Sequence, residues 1–257
     1  MVVSLAVAEC GDGAPLAILH GLFGAARNWA SLARQFGHQH RVIAVDLRNH
    51  GASPWAATMG YAAMAEDVHA AMQARGHERY AIIGHSMGGK TAMVLALTAP
   101  TAVERLVVVD IAPASYPVPF LGHIRALRGL DLSAVARRRD ADHALAATIP
   151  DAVERAFLLQ NLVLGNGAPH WQLNLAAIEA ALPELADFPR FPVGTAYDGP
   201  TLFVGGARSR ALESEYQPGI TALFPHAALT RIADAGHWVQ ADQPDAFLRL
   251  VELFLSG

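Results

Sequence analysis

The stretch Tyr80-Ala81-Ile82-Ile83-Gly84-His85-Ser86-Met87-Gly88 decides the fold, because an apolar run with β character enters a G-x-S-x-G motif and leaves it as a helical pattern over Met87–Leu97. A strand that turns into a helix within one residue strains the backbone at that residue. Small neighbours are then required, since side chains on either side would collide. Ser86 is expected at the carboxyl edge of a sheet with its hydroxyl exposed. The helix that starts behind it points unpaired N–H groups and a positive end at the same place. Met87 N–H is therefore expected to be one oxyanion donor.

Working outward, short apolar runs alternate with amphipathic ones. The expected strands are Leu5–Ala8, Leu16–His20, Arg41–Asp46, Tyr80–Gly84, Leu106–Asp110, Thr201–Val204 and Leu229–Ile232. The expected helices are Asn28–Phe36, Tyr61–Arg75, Met87–Leu97, a stretch near Glu215–Leu223 broken by Pro218-Gly219, and Asp245–Leu255. This rhythm predicts an α/β protein with a mostly parallel sheet covered by helices on both faces. Between Pro113 and Pro200 it breaks: no convincing strand is visible, while Ile124–Leu130, Leu132–Arg139, Ala152–Leu164 and Asn174–Leu182 read as helices. Residues 114–195 are thus expected to form a helical cap inserted between two late strands of a core built from 1–113 and 196–257.

The 257 residues, 53% apolar and 16% charged, have enough hydrophobic mass for one large folded domain and exclude a disordered chain. A net charge of −4 and no long basic run disfavour a nucleic-acid partner. Cys10 is the only cysteine, so an intramolecular disulfide, a Cys-based zinc site and a Cys-x-x-Cys redox site are excluded, in keeping with a reducing cytoplasm. Met1–Cys10 has no basic leader and reads as the first strand. No apolar stretch reaches the roughly 18 residues of a membrane span.

A nucleophilic serine needs a base and a carboxylate. In this architecture they follow it in the order acid, then histidine. Of the five histidines after Ser86, His123, His143 and His170 lie in the helical interval and His226 sits in an ordinary loop. His237, in Ala235-Gly236-His237-Trp238 between the last strand and the terminal helix, is expected to be the base. The loop after Thr201–Val204, where the acid usually sits, carries Ser209 and no carboxylate until Glu213. Asp110, ending Val107-Val108-Val109-Asp110, is the preferred alternative, with Asp198 and Asp234 weaker on placement. The second oxyanion donor is expected in His20-Gly21-Leu22-Phe23-Gly24, as Leu22 N–H, with Phe23 as second choice. His20 is expected to brace that loop, and Asp46 and Arg48 to form a structural ion pair.

The H-G-x-x-G loop, Asp46-Leu47-Arg48-Asn49-His50-Gly51-Ala52-Ser53, Gly84-His85-Ser86-Met87-Gly88-Gly89 and the terminal Gly236-His237-Trp238 together resemble the α/β-hydrolase family over nearly the whole chain. With Gly89-Lys90-Thr91-Ala92-Met93 and Val108-Val109-Asp110-Ile111-Ala112-Pro113, the chain is similar to small bacterial esterases of the YbfF type. That resemblance implies that the acid comes from the earlier strand, at Asp110, and that the cap roofs an acyl pocket. Phe23, Phe120, Leu121, Trp171 and Trp238 are the expected lining, with Phe157, Leu158 and Leu173 also in reach, while plain cap core is the competing and more ordinary reading for each of the cap residues. Serine at the elbow argues against dehalogenases and epoxide hydrolases, which use aspartate there. The expectation is a cofactor- and metal-free serine esterase acting on small acyl esters of short to medium chain, as a monomer or homodimer. Thioester hydrolysis, perester formation and carbon–carbon bond hydrolysis share the machinery, and a non-catalytic ligand-binding homologue is the reading from another class.

Overall fold

A computed structural model describes residues 1–117, 120–165 and 167–257. Seven strands, β1 (Val7–Cys10), β2 (Ala14–Leu19), β3 (His40–Val45), β4 (Tyr80–His85), β5 (Val103–Val109), β8 (Thr201–Gly206) and β9 (Ala227–Ile232), form one sheet in the order β1-β3-β2-β4-β5-β8-β9. Only β1 runs antiparallel to its neighbour; the other pairings are parallel. β4 and its elbow stand at the middle of the sheet.

Period-two alternation divides the core into two layers. Ala17, Leu19, Ile82, Leu106, Val108 and Phe203 face one cluster, and Leu16, Ile18, Ile83, Val107, Val109 and Val204 face the other. Helices α2 (Tyr61–Gln73) and α3 (Met87–Thr98) cover the first layer; α1 (Ala30–Phe36), α9 (Val239–Asp242) and α10 (Pro244–Ser256) cover the second. Each strand residue is buried by a helix on its own side. That is why these strands read as unbroken apolar runs.

Between β5 and β8 lie α4 (Leu121–Gly129), α5 (Arg138–Leu145), α6 (Ala152–Leu159) and α7 (Leu175–Ala186), and α8 (Gln217–Leu223) follows β8. This interval also holds a short antiparallel ladder of β6 (Leu162–Val163) with β7 (His170–Trp171), so the expectation of no strand there is corrected. Two-residue strands are too short for any alternation pattern. The helix expected at Leu132–Arg139 is instead a 3-10 turn over Leu132–Ala134, begun by Asp131 accepting the Ser133 N–H, followed by α5. The helix expected at Ala152–Leu164 stops at Leu159, because Leu162 and Val163 pair with β7.

Candidate active site

The elbow geometry follows from sterics. Ser86 has φ 52° and ψ −117°, and Ser86 N–H still donates to Val109 O at 2.9 Å, continuing the sheet into the turn. A Cβ on Gly84 would lie 2.2 Å from Gly88 O, and one on Gly88 would lie 2.5 Å from His20 O. Both positions must therefore be glycine.

The structure brings Asp110 and His237 together: His237 Nδ1 donates to Asp110 Oδ2 at 2.7 Å. Asp110, fully buried at the end of β5, also accepts Ser209 Oγ–H on Oδ2 at 2.6 Å and Gly206 N–H on Oδ1 at 3.0 Å. Ser209 thus serves the carboxylate from the loop where a carboxylate was first sought. Asp234 and Asp198 make no contact of this kind. With Nδ1 occupied as a donor, the Nε2 of His237 is left as the basic nitrogen.

The loops around these groups are held by neutral histidines. His20 Nε2 accepts Leu47 N–H at 3.0 Å while Nδ1 donates to Gly21 O at 2.7 Å. His50 Nε2 accepts Phe23 N–H at 3.1 Å while Nδ1 donates to Arg48 O at 3.0 Å. His85 Nε2 donates to the carbonyl of His237 at 2.8 Å, with the two rings 4.8 Å apart. Burial pushes His20 down to about 4, and His50 and His85 down to about 3, so none carries charge at neutral pH. His20 braces its loop as expected; the parts played by His50 and His85 had no signal in the sequence beyond their motif neighbours.

Three expectations are corrected. Phe23 N–H is already bonded to His50, which removes it as the second-choice oxyanion donor, and Gly24 N–H closes a turn on Gly21 O at 2.9 Å. Leu22, which lines the cavity beside Ser86 and His237, keeps its N–H as the candidate in that loop. Arg48 does not pair with Asp46: its guanidinium forms a buried two-point contact with Asp67 of α2, at 2.6 and 2.8 Å. Asp46 is committed instead to Ala26 N–H at 2.7 Å and Ala52 N–H at 2.8 Å, tying two loops together. The third correction concerns the pocket.

A cavity of about 610 Å³ opens at Ser86 and His237, with Leu22, Met87, Tyr61, Lys90, Ile111, Tyr116, Phe120, Leu182 and Leu185 on its walls. Of the expected lining, only Phe120 stands there with Leu22 and Met87. Phe23 is buried edge-on against Phe120 with ring centres 5.6 Å apart, and Trp238 stacks on Phe157 at 5.6 Å. Trp171 turns inward because its indole N–H finds Leu127 O at 3.1 Å, and Leu121 packs against the core from the start of α4. Leu158 and Leu173 are core.

Sequence reading assigned no part to Lys90, one helical turn past Ser86. Its buried ammonium donates to Ala186 O at 3.1 Å and Asp187 O at 2.7 Å, at the carboxyl end of α7, and lies 5.0 Å from the Tyr116 ring centre. Tyr61 Oη–H donates to Leu185 O at 2.6 Å, and Tyr116 N–H to Ala186 O at 2.9 Å. The orphan carbonyls of the last turn of α7 are thereby satisfied by the core. Burial lowers Lys90 to about 8.

Comparison with known proteins agrees with this architecture. The alpha/beta hydrolase fold family matches residues 14–244. The chain is 44% identical over 254 residues to the sn-1-specific diacylglycerol lipase ABHD11 of Xenopus laevis, covering 95% of this chain and 80% of that protein. It is 35% identical to esterase YbfF of Escherichia coli strain K12, covering 95% and 94%. A solved structure of a marine microorganism esterase superposes with a TM-score of 0.94 at 35% identity, covering 98% of this chain and 99% of that one. The chain belongs to the alpha/beta-hydrolase family. Within it, the chain is a hydrolase of the esterase/lipase type. Among the described residues, no helix is long and apolar enough to cross a membrane.

Proposed function

We propose that this chain is a serine carboxylic ester hydrolase acting on short- to medium-chain acyl esters through Ser86, His237 and Asp110. The observation that carries the reading is the 2.7 Å bond from His237 Nδ1 to Asp110, beside a strained serine at the mouth of a largely apolar cavity. Ser86 Oγ attacks the ester carbonyl carbon as His237 Nε2 takes its proton. The resulting oxyanion is held by Met87 and Leu22 N–H groups. Collapse returns the proton from His237 to the departing alkoxide and leaves an acyl-Ser86 ester. Water, deprotonated by the same nitrogen, then releases the acid and regenerates the serine. Asp110 holds His237 in the required tautomer and stabilises the imidazolium. Residues 114–195 act as the cap, which walls the acyl cavity through Phe120, just before α4, and through Leu182 and Leu185 of α7, over a core of 1–113 and 196–257. The relatives named esterase and diacylglycerol lipase favour an ester substrate.

The test is initial hydrolysis rates on p-nitrophenyl esters from acetate to palmitate. The expected outcome is a maximum at short or medium chains and a loss of at least roughly 10³-fold in Ser86→Ala and in His237→Ala, with folding retained. Serine-independent hydrolysis would overturn the reading. Turnover of acyl-thioesters alone would replace the substrate class while keeping the machinery.

A further inference from the structure

Phe23 has a φ of 62°, at the third position of the turn closed by Gly24 N–H on Gly21 O, where glycine is the ordinary occupant. A bulky residue stays in that region only where its surroundings hold it there. One holding group comes from the sheet edge: His50 accepts the Phe23 N–H at 3.1 Å. The other comes from the segment between β5 and β8. Asn161, fully buried just beyond α6, donates Nδ2 to the Phe23 carbonyl at 2.8 Å. Its amide cannot be the other way round, because Arg27, which only donates, is bonded to Oδ1 at 3.2 Å. The Phe23 ring is in turn wedged edge-on against Phe120, which precedes α4. A strained peptide next to Leu22 is thus gripped from both sides of the cavity.

We propose that Asn161 is a positioning residue, which through the Phe23 carbonyl aims the Leu22 N–H at the reacting carbonyl and so couples seating of the cap to assembly of the oxyanion site. The inference rests on the serine-hydrolase reading and deepens it. Without Asn161 the turn is free to relax toward a conformation with negative φ at Phe23, and the Leu22 donor moves. Asn161 itself lies outside the cavity walls, and of the residues on them only Leu22 is displaced, so ground-state binding changes little. The loss therefore falls mainly on the transition state.

Asn161→Asp tests this, since it keeps the side-chain shape and the oxygen facing Arg27 while removing the Nδ2 donor that serves Phe23 O and, at 3.2 Å, Leu158 O at the end of α6. On p-nitrophenyl butyrate, kcat is expected to fall about 10- to 100-fold with KM within about threefold of wild type. Affinity for an aryl trifluoromethyl ketone, which forms a tetrahedral adduct on the serine, is expected to fall by the same factor. Should the Asp variant not fold, Asn161→Ala is read the same way. An unchanged kcat, a rise in KM alone, or a loss of kcat without loss of ketone affinity overturns the proposal. Absence of Ser86-dependent turnover in the wild type overturns the hydrolase reading itself, which separates the two failures.

Discussion

At the carboxyl edge of the sheet, Asp110 accepts three hydrogen bonds and His20, His50 and His85 each have a set tautomer and a named backbone partner. Across the cavity, the apolar part of the wall is Phe120, Leu182 and Leu185, held by packing, beside Lys90 and three tyrosines, with Arg210, Glu213 and Glu215 also lining it. One region positions atoms by directed bonds, which fail one at a time; the other positions a volume, which tolerates exchange of similar side chains. The proposed reactive groups therefore stand where local chemistry demands particular residues, and the pocket where many would serve.

Breaking the directed network should cost most at Asp110. Asp110→Asn keeps the volume but offers an amide where a carboxylate now accepts from His237, Ser209 and Gly206, so the imidazole loses its tautomer and its counter-charge. A loss of about 10³- to 10⁴-fold in kcat is expected, with KM little changed. Asp234→Asn and Asp198→Asn are the controls. A comparable loss in either, with Asp110→Asn active, would move the acid elsewhere.

The same network makes the sheet edge sensitive to acid. Burial lowers His20, His50 and His85 far below the value of about 6.5 that histidine has in an unfolded chain, so the unfolded state binds protons that the native state refuses. Stability is then full above pH 6.5 and falls as pH drops toward 4, by up to about 1.4 kcal/mol per pH unit for each histidine. Urea midpoints at pH 7, 6 and 5 measure this. A flat profile over that window would mean that the native loops accept the charge.

What the sequence made legible follows the same division. The strand before Ser86 and the glycines at 84 and 88 are local constraints, carried by residue types with no substitute, whereas Asp110 and His237 are reached by their positions at strand ends on the same sheet edge and by the family resemblance. Asp67 as the partner of Arg48 was invisible because the pairing spans 19 residues from a loop to the buried face of α2, and Asp46 offered a nearer carboxylate. The pocket lining was the least legible part. Phe23, Trp171 and Trp238 are large and apolar like true lining residues, and only tertiary packing, or a carbonyl for the Trp171 indole, decides which way each turns.

Lys90 sharpens the comparison from the other side, as a directed group set into the packed wall. Its ammonium is desolvated and held by two carbonyls and two aromatic rings, and burial lowers it to about 8 from an ordinary lysine value near 10.5. Between those values the unfolded chain keeps a proton that the native protein releases, so stability should rise with pH from about 8 to 10, by less than about 1.4 kcal/mol per unit. Above pH 10 the trend should reverse, because burial raises Tyr61, Tyr80, Tyr116 and Tyr197 and the unfolded tyrosines ionise first. Lys90→Met keeps the length and apolar stem but removes the titrating group, so the rise should vanish while the reversal stays. Urea midpoints of both proteins at pH 8, 9 and 10 measure it; an equal rise in the Met variant would show that the alkaline response originates outside this wall.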